Sequence, residues 1–216
     1  MGKIDTILFD FDGTIMDTND VIIQSWQHTF RRLTGRDGDV AKILATFGEP
    51  LEISIRNFFP EVPVEESIAI YRGYQHDNFL NLISLFPGME ELVKEVKSRG
   101  YRSGLVTSRL KHTTMQGIEK FGLAPYFDDI VTAEDTTRHK PDPEPILIML
   151  DKLGAKPQNA IMLGDTLFDI RCAKNAGVRS VLVSWSLALQ DIAAADLGSD
   201  APDHVINQPE ELFALL

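Results

Sequence analysis

The chain has 216 residues, enough for one large domain or for an ordinary core with a smaller insertion. Lysine and arginine number 21 against 32 aspartates and glutamates, so the net charge is −11, and an acidic chain without a basic cluster is a poor candidate for binding nucleic acid or an anionic membrane. The N-terminus lacks a signal-peptide pattern and no apolar run approaches the roughly 18 residues of a membrane span, so we expect a cytoplasmic protein.

The first predicted element is a buried strand over residues 4–9, inside the stretch "ILFDFDGTIMDTND". This strand ends in two carboxylates, Asp10 and Asp12, which are followed at once by Gly13 and Thr14. Two like charges in a folded chain raise its free energy unless a cation or a reaction uses them. The stretch therefore indicates a functional site at the end of the first strand.

The chain then becomes purely helical in pattern from residue 19 to about residue 82. In "DVIIQSWQHTFRRLTG" the apolar residues recur every three or four positions, and Gly35 is a helix stop. Two shorter helices are predicted in "AKILATF" and "LEISIRNFF", and a longer one in "VEESIAIYRGYQHDNFLNL". We predict an inserted all-helical cap domain over residues 17–83, with residues 1–16 and 84–216 forming the core domain.

Beyond Pro87, strand and helix patterns alternate. Strands are predicted in "YRSGLVTS", "FDDIVTAED", "NAIMLGD", "RSVLVSW" and "DHVIN", and helices in "GMEELVKEVKSRG", "RLKHTTMQGIEKFG", "PDPEPILIMLDKLG", "TLFDIRCAKNAG", "SLALQDIAAADLG" and "PEELFALL". Asp142 is a candidate cap for the third of these helices, and Pro143 suits its first turn. The alternation predicts an α/β fold, a Rossmann-like, doubly wound parallel sheet covered on both faces.

Polar residues collect after the predicted strands, at the edge where parallel sheets bind ligands. They are Asp10, Asp12, Gly13 and Thr14 after the first strand, Thr107 and Ser108 after the second, Lys140 in a loop after the third, and Asp165 and Asp169 after the fourth. Because the carboxyl ends of parallel strands meet at one edge, we expect these residues to form a single site.

This set of residues suits phosphoryl transfer. Clustered carboxylates bind a hard cation such as Mg²⁺, which usually takes one or two carboxylates together with a substrate phosphate oxygen. A carboxylate beside the cation can attack phosphorus to form an aspartyl-phosphate, with Lys140 compensating charge. A second carboxylate can protonate the leaving oxygen and then activate water. Thr107, Ser108 and the backbone N–H groups around Gly13 and Thr14 can donate to phosphate oxygens.

Several of these residues also have a purely structural interpretation. Asp169 is equally suited to a capping box with Thr166, to supporting a metal ligand, or to binding the metal directly. Ser108 can cap the following helix or contact substrate. The single cysteine, Cys172, lies in a helical pattern and is interpreted as a small buried apolar residue rather than a catalytic thiol.

The motifs "DFDGT", "LVTS", "HKPDPEP" and "LGDTLFD", in this order, resemble those of the haloacid dehalogenase superfamily, over nearly the whole chain. The resemblance implies that Asp10 is the nucleophile, Asp12 the general acid/base, Thr107 a phosphate-binding hydroxyl and Lys140 a charge clamp. It also implies Mg²⁺ held by the Asp10 side chain, the Asp12 carbonyl and the Asp165 side chain. Dehalogenases carry an aromatic residue and P-type ATPases a lysine at the position of Asp12, so an aspartate there implies phosphate transfer to water or to a sugar.

Within this superfamily the stretches "ILFDFDGTIMDTND", "HKPDPEPI" and "VLVSW" resemble those of the bacterial pyrophosphatases related to phosphoglycolate phosphatase. The cap is expected to select the substrate, through the loop "TFGEPLEISIRNF". Arg56 is the first candidate for an anion contact in the cap, followed by His28 and Arg72, although each of them also fits a solvated face. We expect a small phosphorylated substrate or pyrophosphate, no nucleic-acid or membrane partner, and a monomer or a dimer.

Other functions remain open at this level. A mutase of the β-phosphoglucomutase type shares the motifs and the cap, and transfers phosphate between sugar hydroxyls. A non-enzymatic receiver-like phospho-acceptor also uses an aspartate, a lysine and Mg²⁺ on a doubly wound sheet, but it leaves the cap unexplained. A fold retained only for binding is disfavoured, because every catalytic position is filled.

Overall fold

The computed structural model describes residues 3–188 and 198–216. In chain order the strands are β1 (Thr6–Phe9), β2 (Met16–Asp17), β3 (Ser84–Leu85), β4 (Arg102–Val106), β5 (Asp129–Val131), β6 (Ala160–Gly164), β7 (Arg179–Val183) and β8 (His204–Ile206). Six of them form a parallel sheet in the order β5-β4-β1-β6-β7-β8. The predicted α/β fold with a doubly wound parallel sheet is confirmed.

The position of β1 follows from its sequence. Ile7 and Phe9 belong to the apolar cluster on one face of the sheet and Leu8 to the cluster on the other, and all three are fully buried. A strand covered on both faces needs an unbroken apolar run, which is what the sequence has. The strand order reverses on either side of β1, and such a switch point creates a crevice at the carboxyl ends of the strands.

Helices cover both faces of the sheet. They are α5 (Met89–Ser98), α6 (Lys111–Lys120), α7 (Glu144–Leu153) and α8 (Leu167–Asn175). Met149 of α7 and Cys172 of α8 are buried with Leu8, whereas Val96 of α5 is buried in the cluster of Phe9. Cys172 is a free, buried thiol, and burial raises its pKa to about 12, as expected for an apolar packing residue.

Some elements near the C-terminus differ from the prediction. The segment "PEELFALL" forms a 3₁₀ helix, Pro209–Leu215, rather than an α-helix. Most of the helix predicted in "SLALQDIAAADLG" falls on residues 189–197, which lie outside the described residues. Pro143 occupies the N-cap position of α7, and the Asp142 carboxylate accepts a hydrogen bond from the Glu144 N–H at 2.9 Å.

The inserted segment is helical and has its own apolar core. Its helices are α1 (Asn19–Thr34), α2 (Val40–Leu44), α3 (Leu51–Phe58) and α4 (Val64–Asn78). Trp26 is at the centre, with ring centroids 5.1 Å from Phe58 and 4.9 Å from Tyr71. The end of α1 at Gly35 is as predicted, since this residue has φ of 72° and its N–H bonds to the carbonyl of Arg31.

A short antiparallel pair of strands, β2 and β3, connects the helical segment to the sheet. The predicted limits of the cap domain, residues 17 and 83, fall at this pair. The sequence pattern did not indicate the two strands, because each has only two residues. Within residues 3–188 and 198–216, none of the helices has both the length and the apolar character needed to cross a bilayer.

Candidate active site

A cavity of about 210 Å³ opens at the carboxyl ends of β1, β4 and β6, beneath the helical segment. It is lined by most of the polar residues singled out from the sequence: Asp10, Asp12, Gly13, Thr107, Ser108, Lys140, Asp165 and Asp169. Residues from four separate parts of the chain therefore meet in one place. The fold brings them together because each follows a strand, or lies in a loop after one, at the switch point of the sheet.

Lys140 joins two carboxylates at the base of the cavity. Its Nζ lies 2.7 Å from Oδ1 of Asp10 and 2.6 Å from Oδ1 of Asp169, and all three side chains are buried. Burial raises the pKa of Asp10 to about 7, against the opposing effect of Lys140. Burial also acts to lower the pKa of Lys140, but the two carboxylates more than offset it, so that this pKa is raised and the ammonium group stays charged.

Asp165, directly after β6, has one carboxylate oxygen satisfied and one free. Its Oδ2 accepts a hydrogen bond from Oγ of Ser186 at 2.6 Å, while Oδ1 is buried with no hydrogen-bond partner among the described residues. Burial, followed by the nearby charges of Asp169 and Asp10, raises the pKa of Asp165 well above its ordinary value. A buried, unpartnered carboxylate oxygen is costly unless something binds to it.

The carboxylates form a compact acidic cluster. One oxygen each from Asp10, Asp165 and Asp169 lie within 4.8 Å of one another. Three buried like charges at this separation repel strongly, and Lys140 supplies only one positive charge. An all-oxygen donor set with a free inward oxygen on Asp165 fits a hard divalent cation such as Mg²⁺.

Asp169 performs two structural roles at once. Its Oδ2 accepts hydrogen bonds from the N–H and the hydroxyl of Thr166, and the Thr166 hydroxyl accepts from the Asp169 N–H, which completes the predicted capping box of α8. Its Oδ1 accepts from Lys140. Both oxygens therefore have protein partners, in contrast to Asp165, whose Oδ1 has none among the described residues.

Gly13 allows the chain to pass very close to Asp165. It has φ of 71°, and a Cβ placed on it would lie 1.9 Å from Oδ2 of Asp165. Thr14, the next residue, is buried and does not line the cavity. Its carbonyl accepts a hydrogen bond from Nε1 of Trp185 at 3.0 Å, and its hydroxyl has no hydrogen-bond partner within the described part of the chain. The structure thus places Gly13, but not the Thr14 side chain, at the cavity.

The end of β4 contributes a residue that the sequence analysis did not single out. Thr107 is buried and its hydroxyl accepts from the N–H of Arg109 at 3.1 Å, whereas Ser108 is exposed at the rim. The Arg109 side chain is only 6% exposed and forms a two-pronged ion pair with Asp12, with Nη2 2.7 Å from Oδ1 and Nε 2.9 Å from Oδ2. The position of Arg109, just beyond the end of β4, was the sequence signal that could have identified it.

The helical segment forms the outer wall of the cavity. Its lining includes Trp26, Tyr71, Arg72 and the loop around Gly48. This loop packs closely on the start of α8, since a Cβ on Gly48 would lie 2.9 Å from side-chain atoms of Thr166 and Phe168. The predicted substrate loop therefore reaches the site at this glycine.

The structure does not bring Arg56 or His28 to the lining of this cavity. Arg56 lies on an exposed face of α3, where its Nη2 is 2.6 Å from Oε1 of Glu52, four residues earlier. The His28 ring stacks on Tyr74 at a centroid distance of 4.8 Å. Of the three cap cations considered from the sequence, Arg72 is the one that lines the cavity. The place of Arg56 follows from helical spacing, since a glutamate one turn earlier supplies a local partner.

A buried carboxylate, Asp10, lies beside the buried Lys140 at the switch point of a doubly wound sheet, and a second carboxylate, Asp12, follows two residues later. The sequence model of the haloacid dehalogenase-like hydrolase family matches residues 7–183. The chain belongs to this family, as its motifs suggested, and the family together with the relatives below indicates a phosphohydrolase.

Similar proteins span the whole length of the chain. A pyrophosphatase PpaX of Bacillus cereus (strain AH820) is 36% identical over 99% of this chain and 97% of its own length. A pyrophosphatase PpaX of Bacillus velezensis is 33% identical over 98% of this chain and 95% of its own length. Among solved structures, a haloacid dehalogenase-like hydrolase from Streptococcus pneumoniae has a TM-score of 0.89 at 28% identity, covering 100% of this chain and 99% of that chain.

Proposed function

We propose that the protein is a Mg²⁺-dependent phosphohydrolase that acts through an aspartyl-phosphate on Asp10, with inorganic pyrophosphate as its first candidate substrate. The observation that carries the proposal is the acidic cluster beside Asp10, in which Oδ1 of Asp165 is buried without a partner among the described residues. A bound cation would satisfy this oxygen and would offset the repulsion between the clustered carboxylates.

The side chains of Asp10 and Asp165, with the carbonyl of Asp12, would hold the cation. When bound, Mg²⁺ neutralises the carboxylates and polarises a phosphoryl oxygen. Asp169 is assigned a positioning role instead, because its two oxygens are already occupied by Lys140 and Thr166. Lys140 then orients Asp10 through the 2.7 Å contact and offsets negative charge when an anion attacks an anion.

In the first chemical step a carboxylate oxygen of Asp10 forms a bond to phosphorus, and the bond from phosphorus to the leaving oxygen breaks. Asp12, in its protonated form, gives its proton to that oxygen, so that the leaving oxygen departs as a hydroxyl. In the second step the Asp12 carboxylate takes a proton from a water molecule, whose oxygen attacks phosphorus. Orthophosphate leaves and the carboxylate of Asp10 is restored.

The remaining predicted residues bind the transferred phosphoryl group in this proposal. The Thr107 hydroxyl is buried at the end of β4 and lines the cavity, as do Gly13 and the more exposed Ser108. Their hydroxyl and backbone N–H groups are suited to donate to phosphoryl oxygens, which fixes the phosphorus in front of Asp10.

Cavity size and the similar proteins support pyrophosphate as the substrate. A volume of about 210 Å³ is smaller than the pockets that hold drug-sized ligands, so a substrate of few atoms is favoured. The relatives at 33% and 36% identity are named pyrophosphatases. Phosphoglycolate is the second candidate, since it is also small and also has an anionic leaving group.

A substrate panel tests this assignment. Phosphate release is measured with purified protein and Mg²⁺ on pyrophosphate, phosphoglycolate and hexose phosphates, with a chelator as the negative control. We expect the highest kcat/KM on pyrophosphate, loss of activity with the chelator, and recovery when Mg²⁺ is restored. Isomerisation of a hexose phosphate without phosphate release would instead identify a mutase.

The nucleophile is tested separately with Asp10→Asn. We expect this variant to fold, to bind substrate and to lose turnover by at least about 10³-fold, since the amide cannot form the aspartyl-phosphate. The circular dichroism spectrum and the unfolding midpoint control for folding. Retention of full activity would remove Asp10 from the mechanism, and absence of turnover in the unmodified protein on every substrate would favour a binding role.

A further inference from the structure

Among the described residues that line the cavity, Arg109 is a buried cation to which the proposed steps give no role. Lys140 is committed to Asp10 and Asp169 behind the nucleophile, and Arg72 is exposed on α4. Arg109 reaches the cavity from the turn after β4, with its side chain 6% exposed. A buried guanidinium is retained at a cost in solvation free energy, so its position calls for a specific counter-charge.

One edge of the guanidinium, formed by Nε and Nη2, donates hydrogen bonds to the carboxylate of Asp12. Nε lies 3.0 Å from Oδ1 and 2.9 Å from Oδ2, and Nη2 lies 2.7 Å from Oδ1. Two-pronged contacts of this kind fix both orientation and position. Because Asp12 is placed at the leaving oxygen in the proposed chemistry, a group bound to Asp12 lies on the leaving-group side of the scissile bond.

Two aromatic rings lie against the same guanidinium. Its central carbon lies 4.6 Å from the ring centroid of Phe79 and 5.8 Å from that of Phe11. Phe79 follows α4 and Phe11 lies between Asp10 and Asp12, so the helical segment and the sheet both hold Arg109 in place. The group is therefore preorganised rather than free to swing into solvent.

The other end of the guanidinium is poorly satisfied. Nη1 has its acceptor at 3.5 Å, Oε1 of Gln75, which is at the limit of a hydrogen bond. A guanidinium carries five N–H donors, and the edge formed by Nε and Nη2 uses only part of them on Asp12. Nη1 is thus available to an anionic acceptor in the cavity without disturbing the ion pair.

We propose that Arg109 binds the anionic end of the leaving group and makes the enzyme select substrates whose leaving group is itself charged. The second phosphoryl group of pyrophosphate and the carboxylate of phosphoglycolate are of this class, whereas uncharged alcohols are not. Arg109 is then a specificity-determining residue: Nη1 meets the leaving group, while Nε and Nη2 keep Asp12 beside the leaving oxygen. This inference rests on the proposed phosphohydrolase function.

The test compares a matched pair of monoesters, phosphoglycolate and its uncharged analogue 2-hydroxyethyl phosphate, together with pyrophosphate. Both monoesters release an alkoxide that needs a proton, so both depend on Asp12. In Arg109→Gln, we expect kcat/KM to fall at least tenfold more on phosphoglycolate and pyrophosphate than on 2-hydroxyethyl phosphate. Lys111→Gln, which removes an exposed charge two residues away and outside the cavity lining, is the matched control and should leave all three values within about twofold.

Binding gives a readout that does not depend on turnover. In the Asp10→Asn background with Mg²⁺, adding Arg109→Gln should weaken pyrophosphate at least tenfold by calorimetry and leave orthophosphate within about threefold, because orthophosphate has no leaving group. Equal losses on charged and uncharged substrates, or no loss, would overturn the assignment and leave Arg109 as support for Asp12 alone. If the unmodified protein rejects pyrophosphate, the substrate proposal fails, while the monoester pair still decides the role of Arg109.

Discussion

Gly13→Ala is expected to disable the site by displacing Asp165 rather than by removing a reacting group. A Cβ at position 13 would lie 1.9 Å from Oδ2 and 2.5 Å from Cγ of Asp165, and 2.9 Å from Oγ of Ser186. Contacts this short require the Asp165 carboxylate to move by about 1 Å or more, since its Oδ2 is in the way. That movement breaks the buried hydrogen bond from Ser186.

Two contributions determine how much Gly13→Ala destabilises the folded protein. Alanine at φ of 71° costs about 1–2 kcal/mol relative to glycine, and loss of a buried hydrogen bond to a charged group costs about 1.5–3 kcal/mol. We therefore expect Gly13→Ala to lower the free energy of unfolding by about 2.5–5 kcal/mol. Mg²⁺ affinity should fall by about 10- to 100-fold, as for the loss of a group that orients a metal ligand.

Gly35→Ala is the matched control. Gly35 has φ of 72° and would find nothing within 4 Å of an added Cβ. It therefore carries the same backbone penalty and the same change in unfolded-state entropy without the collision, and both cancel in the difference. Urea unfolding with chelator, and the Mg²⁺ dependence of phosphate release, measure the two effects. If Gly13→Ala is within about 1 kcal/mol of Gly35→Ala and keeps its Mg²⁺ dependence, the steric argument is refuted.

Three further outcomes are expected. Without metal, Asp10 should make the free energy of unfolding decrease from pH 5 to pH 7 by up to about 1.4 kcal/mol per pH unit. Its pKa is about 7 in the folded state, above the ordinary 3.8, so the folded chain binds more protons than the unfolded chain in this range. Urea titrations in chelator measure this slope, and an unchanged slope in Asp10→Asn would contradict its origin in Asp10. Asp165→Asn should raise the melting temperature of the metal-free protein by removing a buried repelled charge, yet lower Mg²⁺ affinity at least tenfold by calorimetry; a fall in that temperature would argue against repulsion. Cys172 should resist thiol reagents at pH 8 in the folded protein and react fully in urea, since burial raises its pKa to about 12, and rapid labelling of the folded protein would contradict the packing.

The strand ends were the part of the site most accessible from sequence. The apolar runs in "ILFDFD" and "AIMLGD" require strands buried on both faces, and a parallel sheet necessarily collects the residues that follow them. Asp10, Asp12, Lys140 and Asp165 were predicted to meet for this reason, and they line one cavity. The capping box of α8 was also predictable, because it depends only on residues three apart.

The cap contacts were less accessible, since they depend on how helices pack rather than on their spacing. Arg56 follows the Gly48–Pro50 turn closely in sequence, but α3 directs it to Glu52 on the exposed side. Arg109 has a partner 97 positions earlier in the chain, so no local pattern could associate the two. The partner of Asp165, Ser186, is likewise 21 residues away, beyond the end of β7.

By itself the sequence determined the alternation of elements, the buried character of the central strand and the chemistry available at its end, because these depend on local periodicity and residue type. Only the tertiary structure decided which charges neutralise one another. It pairs Lys140 with Asp10 and Asp169, and Arg109 with Asp12, and it leaves Oδ1 of Asp165 without a partner among the described residues. The reason is physical: electrostatic energies in a buried site depend on separations of a few ångströms between distant segments, and those separations are set by packing.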